Sequence, residues 1–212
     1  MPLRSEVRFA SFLAYSPRGE SERDRQSREI RDAVKFDQRG AIARAALRIS
    51  ERWSGLGMEE FLGGDVLLVP APRSAPLSAP EALWPSRRIC EELLAQRLGI
   101  GILPCLERIM AVPKAAFAKP GERTKALGHS ETMRVSTTLL PLAHRMILVV
   151  DDIVTSGSML LASTSLVADA FPGSTVLAFG LVRTIDSASE LIDPCVGRIS
   201  LDPVSGLTRR RP

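Results

Sequence analysis

Two unbroken apolar runs and one mostly apolar stretch punctuate the chain: Val66-Leu67-Leu68-Val69, Met146-Ile147-Leu148-Val149-Val150, and the stretch from Ser174 to Val182. Runs of this length and β-branched content predict strands covered on both faces, as in a parallel sheet. Between them the period changes. Ile42, Ala45, Ala46, Ile49 and Trp53 recur at three- and four-residue spacing, which predicts an amphipathic helix over Gly40 to Trp53. Ile89, Leu93, Leu94 and Leu98 predict a second helix over Pro85 to Leu98, closed by Gly99. A third spans Ser158 to Ala170 and stops at Pro172-Gly173. The charged stretch from Glu20 to Val34 suits a surface helix, and Arg4 to Pro17 a short strand and loop. Gly101 to Pro104 predicts a brief strand, and Cys195 to Leu201 an edge strand. Met110 to Glu131 lacks an apolar period and reads as a mobile loop, and Thr208 to Pro212 as a disordered basic tail. Strands alternating with helices define an α/β fold: an open, mostly parallel sheet flanked by helices. The segmentation is an amino-terminal helical, hood-like part (1–60), a core (61–205) and the tail (206–212).

Composition narrows the class. The chain has 212 residues, 45% of them hydrophobic and 25% charged, enough to bury one α/β core. Net charge is +4, and the basic residues are mostly Arg, whose planar fork suits phosphate. Cys90, Cys105 and Cys195 are odd in number and form no CxxC pair, so neither a zinc ribbon nor a disulfide framework is indicated. No apolar stretch approaches a transmembrane length and the first residues are too charged for a signal peptide, so a cytoplasmic protein without membrane insertion is expected.

The chemistry concentrates in one stretch. The Met146 run ends in Asp151 and Asp152, which places two carboxylates at the carboxyl end of a buried strand, where ligands bind in open α/β sheets. Thr155, Ser156, Gly157 and Ser158 follow, supplying hydroxyls and backbone N–H groups where a helix starts. Such a terminus attracts phosphate through its unpaired donors and its dipole. Hydroxyl acceptors beside a phosphate cradle suit a ribose 5-phosphate. A capped helix after a strand would use the same residue types, but it leaves the paired acids unexplained. A receiver domain also ends a strand in paired acids, yet it needs a later Lys, and none follows Lys125. A glycine-rich stretch ending in Gly-Lys-Ser/Thr is absent, which excludes a P-loop.

Val149-Val150-Asp151-Asp152-Ile153-Val154-Thr155-Ser156-Gly157-Ser158 resembles the phosphoribosyl-pyrophosphate (PRPP) signature of type I phosphoribosyltransferases. Val69-Pro70-Ala71-Pro72, Ala33-Val34-Lys35-Phe36 and Arg108 bring the likeness closest to the ComF group, without that group's amino-terminal zinc ribbon. Met159 departs from the signature, standing where the family has Thr or Ser. The resemblance implies the fold of that family and a PRPP site over Asp151 to Met159, with the acids on the ribose hydroxyls and the loop on the 5-phosphate. It further implies a pyrophosphate-receiving loop at Pro72, Arg73 and Ser74, and a flexible loop carrying Lys114, Arg123 and Lys125.

The implied reaction transfers the 5-phosphoribosyl group to a nitrogen acceptor with release of pyrophosphate. Asp151, Asp152 and Arg73 would carry it, and Mg²⁺ would be held by Asp151 and Asp152 through ribose hydroxyls or water. Thr155 stands where purine-salvage relatives have an acid, which argues against hypoxanthine or guanine as acceptor. The alternative is a non-catalytic PRPP or nucleotide sensor, or a DNA-uptake accessory protein meeting single-stranded DNA. A homodimer stays open.

Overall fold

In the computed structural model, which describes residues 2–76, 83–113, 124–136 and 146–212, the Met146 run opens β6 (Met146–Val154). This strand pairs in parallel with β2 (Val66–Pro70) on one side and β7 (Thr175–Thr184) on the other. The sheet has seven strands in the order β3 (Gly101–Ile102), β2, β6, β7, β1 (Glu6–Tyr15), β8 (Ile192–Leu201) and β9 (Thr208–Arg211). Every pairing from β3 to β1 is parallel, while β8 and β9 run antiparallel to their neighbours. The expected mostly parallel α/β sheet is therefore present.

Helices cover both faces, as the two-faced apolar runs require. On one face, α1 (Glu22–Lys35), α2 (Ala41–Arg52) and α3 (Pro85–Ala95) pack Val34, Ile42, Ile49, Ile89 and Leu93 against Leu68, Leu148, Val150 and Phe179. On the other, α4 (Ala126–Glu131) and α5 (Ser158–Ala170) pack Ala126, Leu160, Leu161 and Val167 against Val69, Ile147, Val149 and Ala178. Alternate residues of β6 thus serve two separate cores. A short ribbon of β4 (Leu106–Arg108) and β5 (Met133–Val135) flanks the second core. Cys90 and Cys105 are buried apolar fillers: burial pushes the Cys105 thiol up to about 11 and that of Cys90 higher still.

Four expectations change. The Arg4–Pro17 stretch forms a ten-residue strand inside the sheet, because Phe9 to Tyr15 are all buried and the strand pairs with β7 on one side and β8 on the other. Consequently the first sixty residues and the core share one sheet. Cys195 to Leu201 belongs to β8, which is not an edge, since β9 covers it. The supposed basic tail is β9 itself: Thr208 is buried, Arg210 half-buried, and Arg209 and Arg211 exposed, the period of two that a strand gives. Within Met110 to Glu131, residues 126–131 form α4.

Candidate active site

Strand β6 does not stop at Val150; it carries both acids in its last half and ends at Val154. Asp151 lies opposite Gly180 of β7. A Cβ at Gly180 would sit 2.0 Å from Val154 Cγ2, so the missing side chain lets the end of β6 lie close against β7. Asp151 Oδ1 accepts hydrogen bonds from the Asp152 N–H at 2.9 Å and from Ser86 Oγ of α3 at 3.2 Å. Asp152 Oδ1 accepts the Ile153 N–H at 2.9 Å. Burial, reinforced by the neighbouring Asp152 charge, pushes the Asp151 carboxyl well above the ordinary carboxylate range.

Thr155 and Ser156 follow, and the chain turns at Gly157 with φ +89°. Glycine is required there twice over: an L side chain rarely takes that φ, and a Cβ would meet Ile199 Cδ1 at 2.7 Å. The first intrahelical bond of α5 runs from the Leu161 N–H to the Gly157 carbonyl at 2.9 Å, so the amides of Ser158, Met159 and Leu160 precede the ladder and open on the turn. Ser158 Oγ shares hydrogen bonds with Ser156 Oγ at 3.0 Å and with Thr208 Oγ1 of β9 at 2.8 Å. Ile153 packs on the first core and Val154 is buried in the second, which anchors the turn on both sides.

The loop after β2 is held against this strand. The Ala71 N–H donates to the Val150 carbonyl at 2.8 Å, and Trp84 Nε1 donates to the Ala71 carbonyl at 2.7 Å. Pro72 is buried, Arg73 half-buried, and the Ser74 carbonyl accepts the Val112 N–H at 2.9 Å. Arg73 enters the network through its backbone: its carbonyl accepts Arg108 Nε at 3.0 Å. Among the described residues its guanidinium has no ion-pair partner. Lys125 is at the start of α4, and its Nζ donates to the Ser205 carbonyl at 2.9 Å. Lys114 and Arg123 lie outside the described residues.

Arg108 and Ser86 are the residues a motif search underrates. Arg108 is 6% exposed and donates to the Arg73 carbonyl, to Thr132 Oγ1 at 2.6 Å, and to Met159 Sδ at 3.4 Å. No carboxylate of the described residues lies at ion-pair distance. Burial pulls its proton affinity down to about 10, against the attraction of Asp151. Beside it, burial and the Arg108 charge lower His129 to about 4. A buried cation thus stands between the loop after β2 and the first turn of α5. The family likeness singles out Arg108 but gives it no role; its 6% exposure in a three-residue strand is what marks it as a buried charge.

A cavity of about 420 Å³ adjoins the turn, lined by Thr155, Ser156, Thr184, Ile185, Asp186 and Arg210. Among the described residues no cluster of three or more His, Cys, Asp or Glu is arranged to hold a metal, and no helix is long and apolar enough to cross a membrane. Two adjacent carboxylates do suit Mg²⁺, which keeps several waters and takes its remaining oxygens from a phosphorylated ligand. Asp151, whose charge is disfavoured by burial and by Asp152, would regain it beside a cation.

No known family profile matches the chain, and no curated protein matches it. Among solved structures it is similar to a hypoxanthine phosphoribosyltransferase of Trypanosoma cruzi, at 17% identity and TM-score 0.32 over 79% of this chain and 71% of that one. It is also similar to the adenine phosphoribosyltransferase of Saccharomyces cerevisiae complexed with an imino-altritol bisphosphate and adenine, at 18% identity and TM-score 0.37 over 71% and 72% of the two chains. Both are phosphoribosyltransferases.

Proposed function

We infer that this protein is a PRPP-binding phosphoribosyltransferase that moves the 5-phosphoribosyl group onto a nitrogen acceptor. The observation that carries the reading is the continuity of β6, turn and α5. Two acids on one strand, oriented by Ser86 and by local amides, lead directly into a glycine turn whose amides precede the helix ladder. The acids accept hydrogen bonds from the vicinal hydroxyls of a ribose, and the turn from Thr155 to Met159 binds its 5-phosphate. Arg73 and the buried Arg108 supply positive charge on the side where pyrophosphate departs. Asp151 and Asp152 would hold Mg²⁺ through ribose hydroxyls or water, and the ion would supply charge neutralisation for the diphosphate.

In the reaction the C1–oxygen bond to pyrophosphate breaks and its electron pair stays on the leaving oxygen. The acceptor's nitrogen lone pair forms the C1–N bond, and the proton it carried passes to water. The residues contribute position and field rather than covalent chemistry. The altered signature at Met159 and the likeness to the ComF group support a second reading, a PRPP sensor or DNA-uptake accessory protein on the same fold.

Calorimetric titration of PRPP with and without Mg²⁺, on the native protein and on Asp151→Asn/Asp152→Asn, tests the site. Magnesium-dependent binding lost in the variant is expected. A native protein that ignores both PRPP and ribose 5-phosphate at millimolar concentration would overturn the reading. Acceptor-dependent pyrophosphate release separates enzyme from sensor, and single-stranded DNA binding that survives the double substitution would favour the accessory role.

A further inference from the structure

The cavity beside Thr155 and Ser156 holds polar atoms that the donor site does not use. Arg210, on β9, donates to the Thr184 carbonyl, but its Nε is buried without a hydrogen-bond partner, and so is Thr184 Oγ1. The nearby Arg183 is neutralised by Asp193 at 2.5 Å, whereas Arg210 pairs with no carboxylate of the described residues. Asp186, the one acid in the lining, is exposed at the mouth and forms no ion pair with Arg210. Burial and the Arg183 charge lower the proton affinity of Arg210, whose guanidinium stands over the Phe9 ring at 6.0 Å from its centre. Arg210 lines the cavity without a carboxylate partner among the described residues, so an anionic ligand there would supply the missing counter-charge.

We propose that this cavity receives the acceptor and selects a nitrogen nucleophile bearing a carboxylate, which Arg210 and Thr184 bind. The assignment rests on the phosphoribosyl-transfer reading, because Thr155 and Ser156 form both one wall of the cavity and the start of the sugar-phosphate turn. A planar ring seated there lies against the turn that holds the donor sugar. The size fits a small heterocycle. Arg210 Nη2 is committed to the Thr184 carbonyl, and the rest of the guanidinium offers a carboxylate a charge-assisted hydrogen bond that an amide or a bare ring cannot reproduce.

The test uses matched probes, orotate against uracil, nicotinate against nicotinamide and anthranilate against aniline, titrated into the native protein alone and with Mg²⁺ and ribose 5-phosphate present. At least one acid is expected to bind about tenfold more tightly than its uncharged counterpart, the scale of one charge-assisted pair. Arg210→Gln should reduce that preference to about threefold or less while ribose 5-phosphate affinity holds, and Arg210→Lys should keep part of it. Thr184→Val, which leaves the guanidinium in place, should weaken the acid without abolishing the preference, and keeps the test decisive if Arg210→Gln does not fold. No acid preferred in any pair, or a preference unchanged in Arg210→Gln, would overturn the proposal. So would Arg210→Gln weakening ribose 5-phosphate instead, since the arginine then serves the donor phosphate. Failure of the donor reading shows separately, as PRPP binding that is absent or indifferent to Asp151 and Asp152.

Discussion

Arg108 Nη2 lies 3.4 Å from Met159 Sδ, so the residue that departs from the PRPP signature is the one the buried guanidinium reaches. A thioether is a weak acceptor and leaves the positive charge largely unspent. The departure from the signature therefore changes where the site holds its charge: a hydroxyl at the helix terminus is exchanged for contact with a cation deeper in the fold.

Met159→Thr is expected to restore a hydroxyl to the turn and tighten ribose 5-phosphate binding by about tenfold, the scale of one hydrogen bond to a charged group. The shorter side chain abandons Arg108 and leaves a gap against the second core, lowering stability by about 1–3 kcal/mol. Calorimetry and thermal melting measure the two effects on the same sample.

Asp151 is expected to trade stability for binding. Its folded affinity for protons is raised, so its contribution to stability is fully present below the ordinary carboxylate value of 3.8 and is lost as pH rises through the folded value. Asp151→Asn should therefore melt a few degrees higher than the native protein at neutral pH without ligand. The difference should vanish below about pH 3, where the native acid is protonated in both states. Magnesium-dependent PRPP binding should be lost throughout.

His129 gives the opposite sign. Its value falls from 6.5 to about 4, so its stabilising contribution is present above 6.5 and is lost as pH falls through about 4. The loss should be on the order of 3 kcal/mol. Urea midpoints recorded across this window on the native protein and on His129→Gln should show the slope in the first and a much flatter line in the second.

Gly180→Ala should be more disruptive than its single methyl suggests. The new Cβ would overlap Val154 Cγ2, with the β6 backbone close behind it. A loss of about 1–3 kcal/mol is expected, the usual cost of overpacking. PRPP affinity should fall with it, because Gly180 is the register partner of Asp151. A double substitution with Val154→Ala should recover part of both, which a simple strand-propensity effect would not do.

The apolar runs made the central strands and two cores legible, because burial on both faces leaves little choice of residue type. The acids and the turn of the candidate site were legible for the same reason: they interrupt a buried strand. β9 was not. Thr208-Arg209-Arg210-Arg211 has no apolar residue, and only pairing with β8 turns it into a strand with one arginine inward and two outward. Arg108 stood out by family likeness, but its burial was hidden, since its hydrogen-bond partners come from the loop after β2, from Thr132 and from α5, separated along the chain. Local pattern reports periodicity; it does not report which distant groups converge on a buried charge.

β9 pairs only with β8, so it is joined to the sheet along a single side. Substitutions there disturb no second strand, whereas a change in β6 or β7 is felt by two neighbours and by both cores. Arg210 stands on the element that can drift most freely, while the acids stand on the one that can drift least. Sequence change is thus absorbed more cheaply on the rim strand than on the strand that carries the paired acids.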